Sequence, residues 1–284
     1  MPDLVESSWQ HVAGLEPFPQ PRFIRSRYPV VLMHGFGIFA SLFRGGHLHE
    51  EAMHLREHGV PAFAPNVAPY NTVRYRADMW KARLDHILRE TGARRLNVIA
   101  QSMGGLDARY LISTVGMHDR VAALVTISTP HHGTGIADLV LEQPEWARKW
   151  MADVLNWMGD RALEDASADF LRSVAELTPS YVDEVFNADV PDHPSVRYYS
   201  YAAQAGKGTD APINPVLRIL NDRLFPREGV NDGFVSVESA RWGTFLGTID
   251  ADHGQQVGLT PGQSAFDANA FYVSVVEHLS AEGF

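Results

Sequence analysis

The tightest constraint in this chain is a change of hydrophobic period around one serine. The run Arg95-Leu96-Asn97-Val98-Ile99-Ala100 reads as a short buried strand, and after Gln101-Ser102-Met103-Gly104-Gly105 the residues Leu106, Tyr110, Leu111 and Val115 recur at helical spacing. Strand, turn and helix therefore meet at Ser102. A turn that tight needs small residues two positions either side so that the strand and helix can pass closely, and Ala100 and Gly104 supply them. Ala100 stands where glycine is commoner, but it is still small. Ser102 would project from the carboxyl edge of a sheet, over a helix amino terminus that favours negative charge.

The rest of the chain provides a sheet for this junction. Strand-like runs at Val30 to Met33, Val60 to Ala64, Leu96 to Ala100, Ala122 to Ile127 and Val196 to Tyr201 alternate with helix-like runs around His47 to His58, Thr72 to Thr91, Leu106 to Val115 and Ala268 to Ala281. This alternation predicts an α/β fold with a mostly parallel sheet covered by helices on both faces. At 284 residues with 45% apolar content, the chain can form one large domain, residues 1–284. The rhythm breaks between Gly133 and about Pro194, where helices but no convincing strand are expected, so about 133–194 is the candidate inserted cap or lid. Within it Trp146, Trp150, Val154, Trp157 and Met158 share one helical face. That face either packs on the core or shelters an acyl pocket as a mobile lid.

A serine nucleophile needs a base to take its proton and a carboxylate to orient that base, and on a strand-turn-helix scaffold the acid precedes the histidine. Asp232, in the turn Asn231-Asp232-Gly233, is the expected acid, and His253, in the loop after the β-like Thr244 to Ile249, the expected base. Asp210 and Asp222 are rivals for the acid. An Asx turn that only caps its own backbone is the alternative for Asp232. The tetrahedral intermediate needs amide donors: Phe36, in the His34-Gly35-Phe36-Gly37 turn after an apolar strand, and Met103, which follows the serine. His34 would then organise its turn. His131 and His132 could line the pocket or pack in a loop. His47, His49 and His54 beside Glu50 and Glu51 lack the i, i+4 spacing of a helical metal site, and no metal is assigned.

Taken in order, His34-Gly35-Phe36-Gly37, the Ala-x-Ser-x-Gly turn, Gly104 to Tyr110, Thr126-Ile127-Ser128-Thr129-Pro130-His131, Asn231-Asp232-Gly233 and Asp252-His253 resemble an α/β-hydrolase of the bacterial triacylglycerol lipase family, Pseudomonas and Burkholderia type. The resemblance runs from about residue 28 to the end. It implies an α/β-hydrolase fold, a triad of Ser102, Asp232 and His253, an oxyanion hole at Phe36 and Met103, and a carboxylic-ester hydrolase for acyl glycerols or similar hydrophobic esters. The same machinery would serve a polyester hydrolase or an acyltransferase, and a non-catalytic ligand-binding protein of this fold is the alternative from another class. Two family features are missing. There is no cysteine for the disulfide often found near the acid loop, where Glu238 stands, and Gln255 occupies the place of a calcium-binding carboxylate. A neutral amide is a poorer calcium ligand, so the calcium site is not carried over. No cofactor is expected.

A formal charge of -10 argues against nucleic acid as a partner. No stretch approaches the ~20 apolar residues of a membrane span, and the first residues lack the basic flank and apolar core of a signal peptide. The expectation is a soluble chain, cytoplasmic or secreted with its leader removed.

Overall fold

The computed structural model describes residues 22–36, 48–142, 145, 168–259 and 266–284. Six strands form one sheet in the order β2-β1-β3-β4-β5-β6, and every neighbouring pair is parallel. The strands are β1 (Val30–Met33), β2 (Ala62–Phe63), β3 (Leu96–Gln101), β4 (Val121–Ile127), β5 (Arg197–Gln204) and β6 (Thr244–Asp250). The flanking helices are α1 (His49–Glu57), α2 (Val73–Thr91), α3 (Gly104–Ser113), α4 (Gly135–Glu142), α5 (Ala168–Ala175), α6 (Pro215–Glu228) and α7 (Ala268–Ala281).

Parallel strands covered on both faces bury both sets of alternating side chains, which is why β1, β3 and β4 read as continuous apolar runs. Val30, Leu32, Ile99 and Val125 pack with Leu55 of α1 and with Tyr272, Val275 and Leu279 of α7. Val31, Met33, Val98 and Leu124 pack on the other side with Trp80 and Leu84 of α2 and Leu111 of α3. Each fully buried aliphatic side chain contributes on the order of 1.5–3 kcal/mol, so these two layers hold the sheet edge rigid beneath the loops that leave it.

The helices begin and end where the sequence dictates. Thr72 caps α2 by accepting from the Tyr75 amide, and Gly92 ends that helix at φ 65°. Asn214 caps α6 with Pro215 at its first position, and Asp267 caps α7 through the Ala270 amide. Between β4 and β5 the described residues form helices and turns without a strand. The tryptophan-bearing face of Trp146 to Met158, the His47 end of the first helix-like run and the Gly37 end of the turn after β1 lie outside the described residues.

Candidate active site

The turn after β3 takes the form that its small residues imply. Ser102 has φ 55°, a left-handed conformation that costs a non-glycine residue on the order of 1 kcal/mol. The surroundings over-determine it. The Ser102 amide donates to Ile127 O at 2.9 Å, while its carbonyl accepts from the Gly105 amide at 3.0 Å and from the Thr129 hydroxyl at 2.7 Å. Gly104 must be glycine because a Cβ there would lie 2.8 Å from His34 O. That contact brings the amino terminus of α3 against the end of β1, and a Cβ on Gly35 would reach 3.0 Å from Ser102 Oγ. The loop carrying Phe36 therefore lies directly beside the serine.

Asp232 and His253 come together as expected: His253 Nδ1 lies 2.7 Å from Asp232 Oδ2, and the His253 amide donates to Asp232 O at 3.0 Å. Asp232 is fully buried. Its Oδ1 accepts from the Phe234 and Val235 amides at 2.9 and 2.8 Å, and its Oδ2 accepts from Gln256 Nε2 at 2.7 Å as well as from His253. The Asx turn and the contact with histidine coexist on the two oxygens of one carboxylate. Burial raises the carboxyl, but His253 and the Val235 and Phe234 amides outweigh it and hold Asp232 below the usual carboxylate range. The residues around Gly233 form bends and turns closed by one antiparallel bridge, Asn231 to Ser236. Asp210 and Asp222 are exposed, and Asp250 accepts from Gln204 Nε2 at 2.9 Å.

Among the described residues, Ser102 Oγ has no hydrogen bond to His253. Instead His253 Nε2 lies 3.2 Å from the side-chain nitrogen of Gln101, the residue immediately before Ser102. That nitrogen also donates to Gln256 Oε1 at 3.3 Å. Gln101 is nearly buried and Gln256 fully so. The motif reading passed over both. Their one sequence signal is position: Gln101 adjoins the serine, and Gln256 follows His253 by three residues, within the 3-10 segment Gln255–Val257. Gln255, which replaces the expected calcium carboxylate, is occupied locally, its Oε1 accepting from the Asp252 amide at 2.7 Å.

The amides expected to receive an oxyanion have no backbone acceptor among the described residues. Neither Phe36 nor Met103 donates its backbone N–H to a described residue. The Phe36 ring packs against Tyr70 and Phe170 at 5.1 and 5.5 Å. The turn before it is held by His34, whose Nδ1 lies 2.9 Å from Gly35 O and whose Nε2 accepts from the Val67 amide at 3.2 Å. It is also held by Arg76, a buried guanidinium on α2, which donates to His34 O at 2.8 Å, Gly35 O at 3.1 Å and Ala68 O at 2.6 Å. Its Nε meets Asp107 Oδ2 of α3 at 2.8 Å. Sequence reading missed this link between the helix after Ser102 and the loop of Phe36.

His131 packs in the interior. It is fully buried, stacked on Trp242 at 5.2 Å, with Nδ1 3.3 Å from Arg109 and Nε2 2.9 Å from Thr126 Oγ1. A guanidinium only donates, so Nδ1 accepts and Nε2 carries the proton, which agrees with burial and the Arg109 charge pushing the imidazole well below its ordinary value. His132 pairs with Asp183 at 2.8 Å.

These features, a parallel sheet with a left-handed serine at the end of a central strand and a carboxylate–imidazole pair brought beside it, agree with the match of residues 28–229 to the family described as alpha/beta hydrolase fold. The chain belongs to that family. The hydrolase is 28% identical over 252 residues to triacylglycerol lipase 2 of Saccharomyces cerevisiae, an alignment covering 81% of this chain and 72% of the yeast protein. It is 30% identical over 115 residues to a triacylglycerol lipase of Pseudomonas fragi, covering 40% of this chain and 39% of that protein. Among solved structures, the mature form of a Bacillus licheniformis lipase superposes with TM-score 0.67 at 23% identity, covering 93% of this hydrolase and 96% of that chain. No helix among the described residues is long and apolar enough to cross a membrane.

Proposed function

We propose that this hydrolase cleaves carboxylic esters through a serine acyl-enzyme, with Ser102 as nucleophile, His253 as base and Asp232 as its orienting acid. The observation that carries the reading is the 2.7 Å contact between Asp232 and His253, two residues from separate loops, presented beside a serine held at φ 55°. Family membership and relatives named as lipases support the ester-hydrolase class.

In this mechanism Ser102 Oγ attacks the ester carbonyl as its proton passes to His253 Nε2. Asp232, fixed by its backbone amides and Gln256, stabilises the resulting imidazolium through Nδ1–H. The Phe36 and Met103 amides receive the oxyanion, and need no side-chain ordering to do so. His253 then protonates the leaving alcohol, and water activated by the same imidazole releases the acid. No step calls for a cofactor. Hydrophobic esters, acyl glycerols among them, are the substrate class the relatives' names support, and about 133–194 would serve as the cap over the acyl group.

The test joins kinetics to labelling. Ser102→Ala should lower p-nitrophenyl butyrate hydrolysis by on the order of 10⁴-fold or more with unchanged circular dichroism, and an organophosphonate should add to Ser102 in the native chain. Near-native turnover by the variant, or a native chain that remains unlabelled, refutes the assignment.

A further inference from the structure

We infer that Gln101 is a positioning residue for His253, and that together with Gln256 it closes a hydrogen-bonded ring which holds the imidazole in its proton-accepting form, Nε2 bare, between turnovers. The inference rests on the proposed roles of Ser102, His253 and Asp232.

The proton arrangement follows from the carboxylate outward. An ionised Asp232 can only accept, so the Gln256 atom 2.7 Å from its Oδ2 is the amide nitrogen. The oxygen end of Gln256 then faces Gln101 at 3.3 Å, and the Gln101 atom that meets it must donate. That fixes the Gln101 amide nitrogen beside His253 Nε2 at 3.2 Å. An amide nitrogen has no acceptor lone pair to offer, so His253 Nε2 must accept and the imidazole proton resides on Nδ1, directed at Asp232 Oδ2 at 2.7 Å. Turning either amide over breaks the ring, since it would set oxygen against oxygen at Gln101–Gln256 or at Gln256–Asp232. One arrangement satisfies every member, and it leaves the base in the tautomer that proton abstraction requires.

The ring also opposes the charged form. An imidazolium carries hydrogen on both nitrogens, and its Nε2–H would point at the Gln101 N–H. Proton transfer from Ser102 therefore requires Nε2 to exchange its Gln101 donor for the serine hydroxyl. The other groups around the imidazole leave this balance in place. Asp232 faces Nδ1, and the Phe234 ring stands 5.0 Å away. The carboxylate of neighbouring Asp252 is turned onto the amides of Asn214, Gly254 and Gln255.

Two measurements test the ring. In the native chain with 15N-labelled histidine, the His253 imidazole at neutral pH should show Nδ1 protonated and Nε2 bare; a dominant Nε2–H tautomer overturns the inference whether or not any variant folds. Gln101→Met keeps the chain length but removes the donor. It should move the acid limb of kcat/KM for p-nitrophenyl butyrate up by about one pH unit, the worth of one neutral hydrogen bond, with KM nearly unchanged. Gln256→Met should shift the limb in the same direction, and the double variant should shift it no further than Gln101→Met alone. Gln101→Glu, which offers Nε2–H a carboxylate, should lower kcat/KM at pH 7 by on the order of 10²-fold. Acid limbs that coincide in native and Gln101→Met enzymes, both labelled at Ser102 by the organophosphonate, refute the ring and leave the ester-hydrolase reading standing. A native chain that resists labelling refutes that reading, and the tautomer measurement still judges the ring.

Discussion

Replacing Arg76 by Met should loosen the Phe36 loop from beneath, and the structure sets the size of the effect. The guanidinium is fully buried and donates to Asp107 Oδ2, to His34 O and Gly35 O beside Phe36, and to Ala68 O. Methionine fills most of the volume but donates nothing. Asp107 would be left with the Trp80 indole at 3.1 Å on Oδ2, and its Oδ1 already has no partner among the described residues. Burial, opposed by Arg76 and Trp80, pushes this carboxyl up to about 6, so its protonation at pH 7 costs on the order of 1 kcal/mol. Stranding three carbonyls adds about 1 kcal/mol each. The expected loss is near 4 kcal/mol, within the range of roughly 3–5 kcal/mol for breaking a buried ion pair from one side. Urea titration at pH 7 measures it. Adding Asp107→Asn removes the need to protonate that carboxyl and should return about 1 kcal/mol. Below the unfolding transition, kcat for p-nitrophenyl butyrate should fall by roughly 10- to 100-fold, because the Phe36 amide loses its support, while KM changes less. A stability loss under about 1 kcal/mol, or a double variant no more stable than Arg76→Met, would refute the reasoning.

The raised Asp107 carboxyl carries a pH signature of its own. Its native value, about 6, lies above its unfolded value of 3.8, so the folded chain binds the proton more tightly and this group's contribution to stability falls as pH rises from about 4 to 6; the change of urea midpoint across that window in Asp107→Asn should differ from the native chain's by this one contribution. Gly105→Ala would set a Cβ 2.6 Å from Thr129 Cγ2 and push the Thr129 hydroxyl off Ser102 O. It should cost about 1–3 kcal/mol with a drop in kcat, and adding Thr129→Ala should recover only part of the thermal stability, because the Cβ of residue 129 would still stand 2.8 Å from the new one, and should not restore kcat.

The parts of the fold that could be read in advance are those governed by apolar period. The runs at Val30 to Met33, Leu96 to Ala100 and Ala122 to Ile127 became β1, β3 and β4 within a residue, because both of their faces are buried. The expected strand at Val60 to Ala64 shrank to Ala62–Phe63: the Val60 amide closes the end of α1 on Leu55 O, and Pro61 has no N–H to give the ladder. β5 runs past Tyr201 to Gln204 because Ala202 and Ala203 pair with Thr248 and Ile249, small residues that give a weak strand signal. The helix after Ser102 begins at Gly104 and not at Leu106, since two glycines hide its first turn from a propensity reading.

At the site, sequence reading singled out residues whose chemistry is distinctive and passed over those whose role exists only in contact. Nothing local marks Gln101 and Gln256 as partners; their amides meet across 155 positions because β3 and the loop after β6 reach the same sheet edge. Arg76 and Asp107 are different, for each did carry a local signal. Arg76 falls on the face of α2 that buries Val73, Ala77 and Trp80, and Asp107 lies one turn before Leu111, on the side of α3 that enters the core. A charge at a core-facing helical position cannot remain solvated there and cannot stay buried alone, so two such charges of opposite sign on successive helices predict each other. Here that pairing places a guanidinium under the carbonyls of His34 and Gly35, and so couples the helix that starts at the serine to the loop that carries the proposed oxyanion donor Phe36.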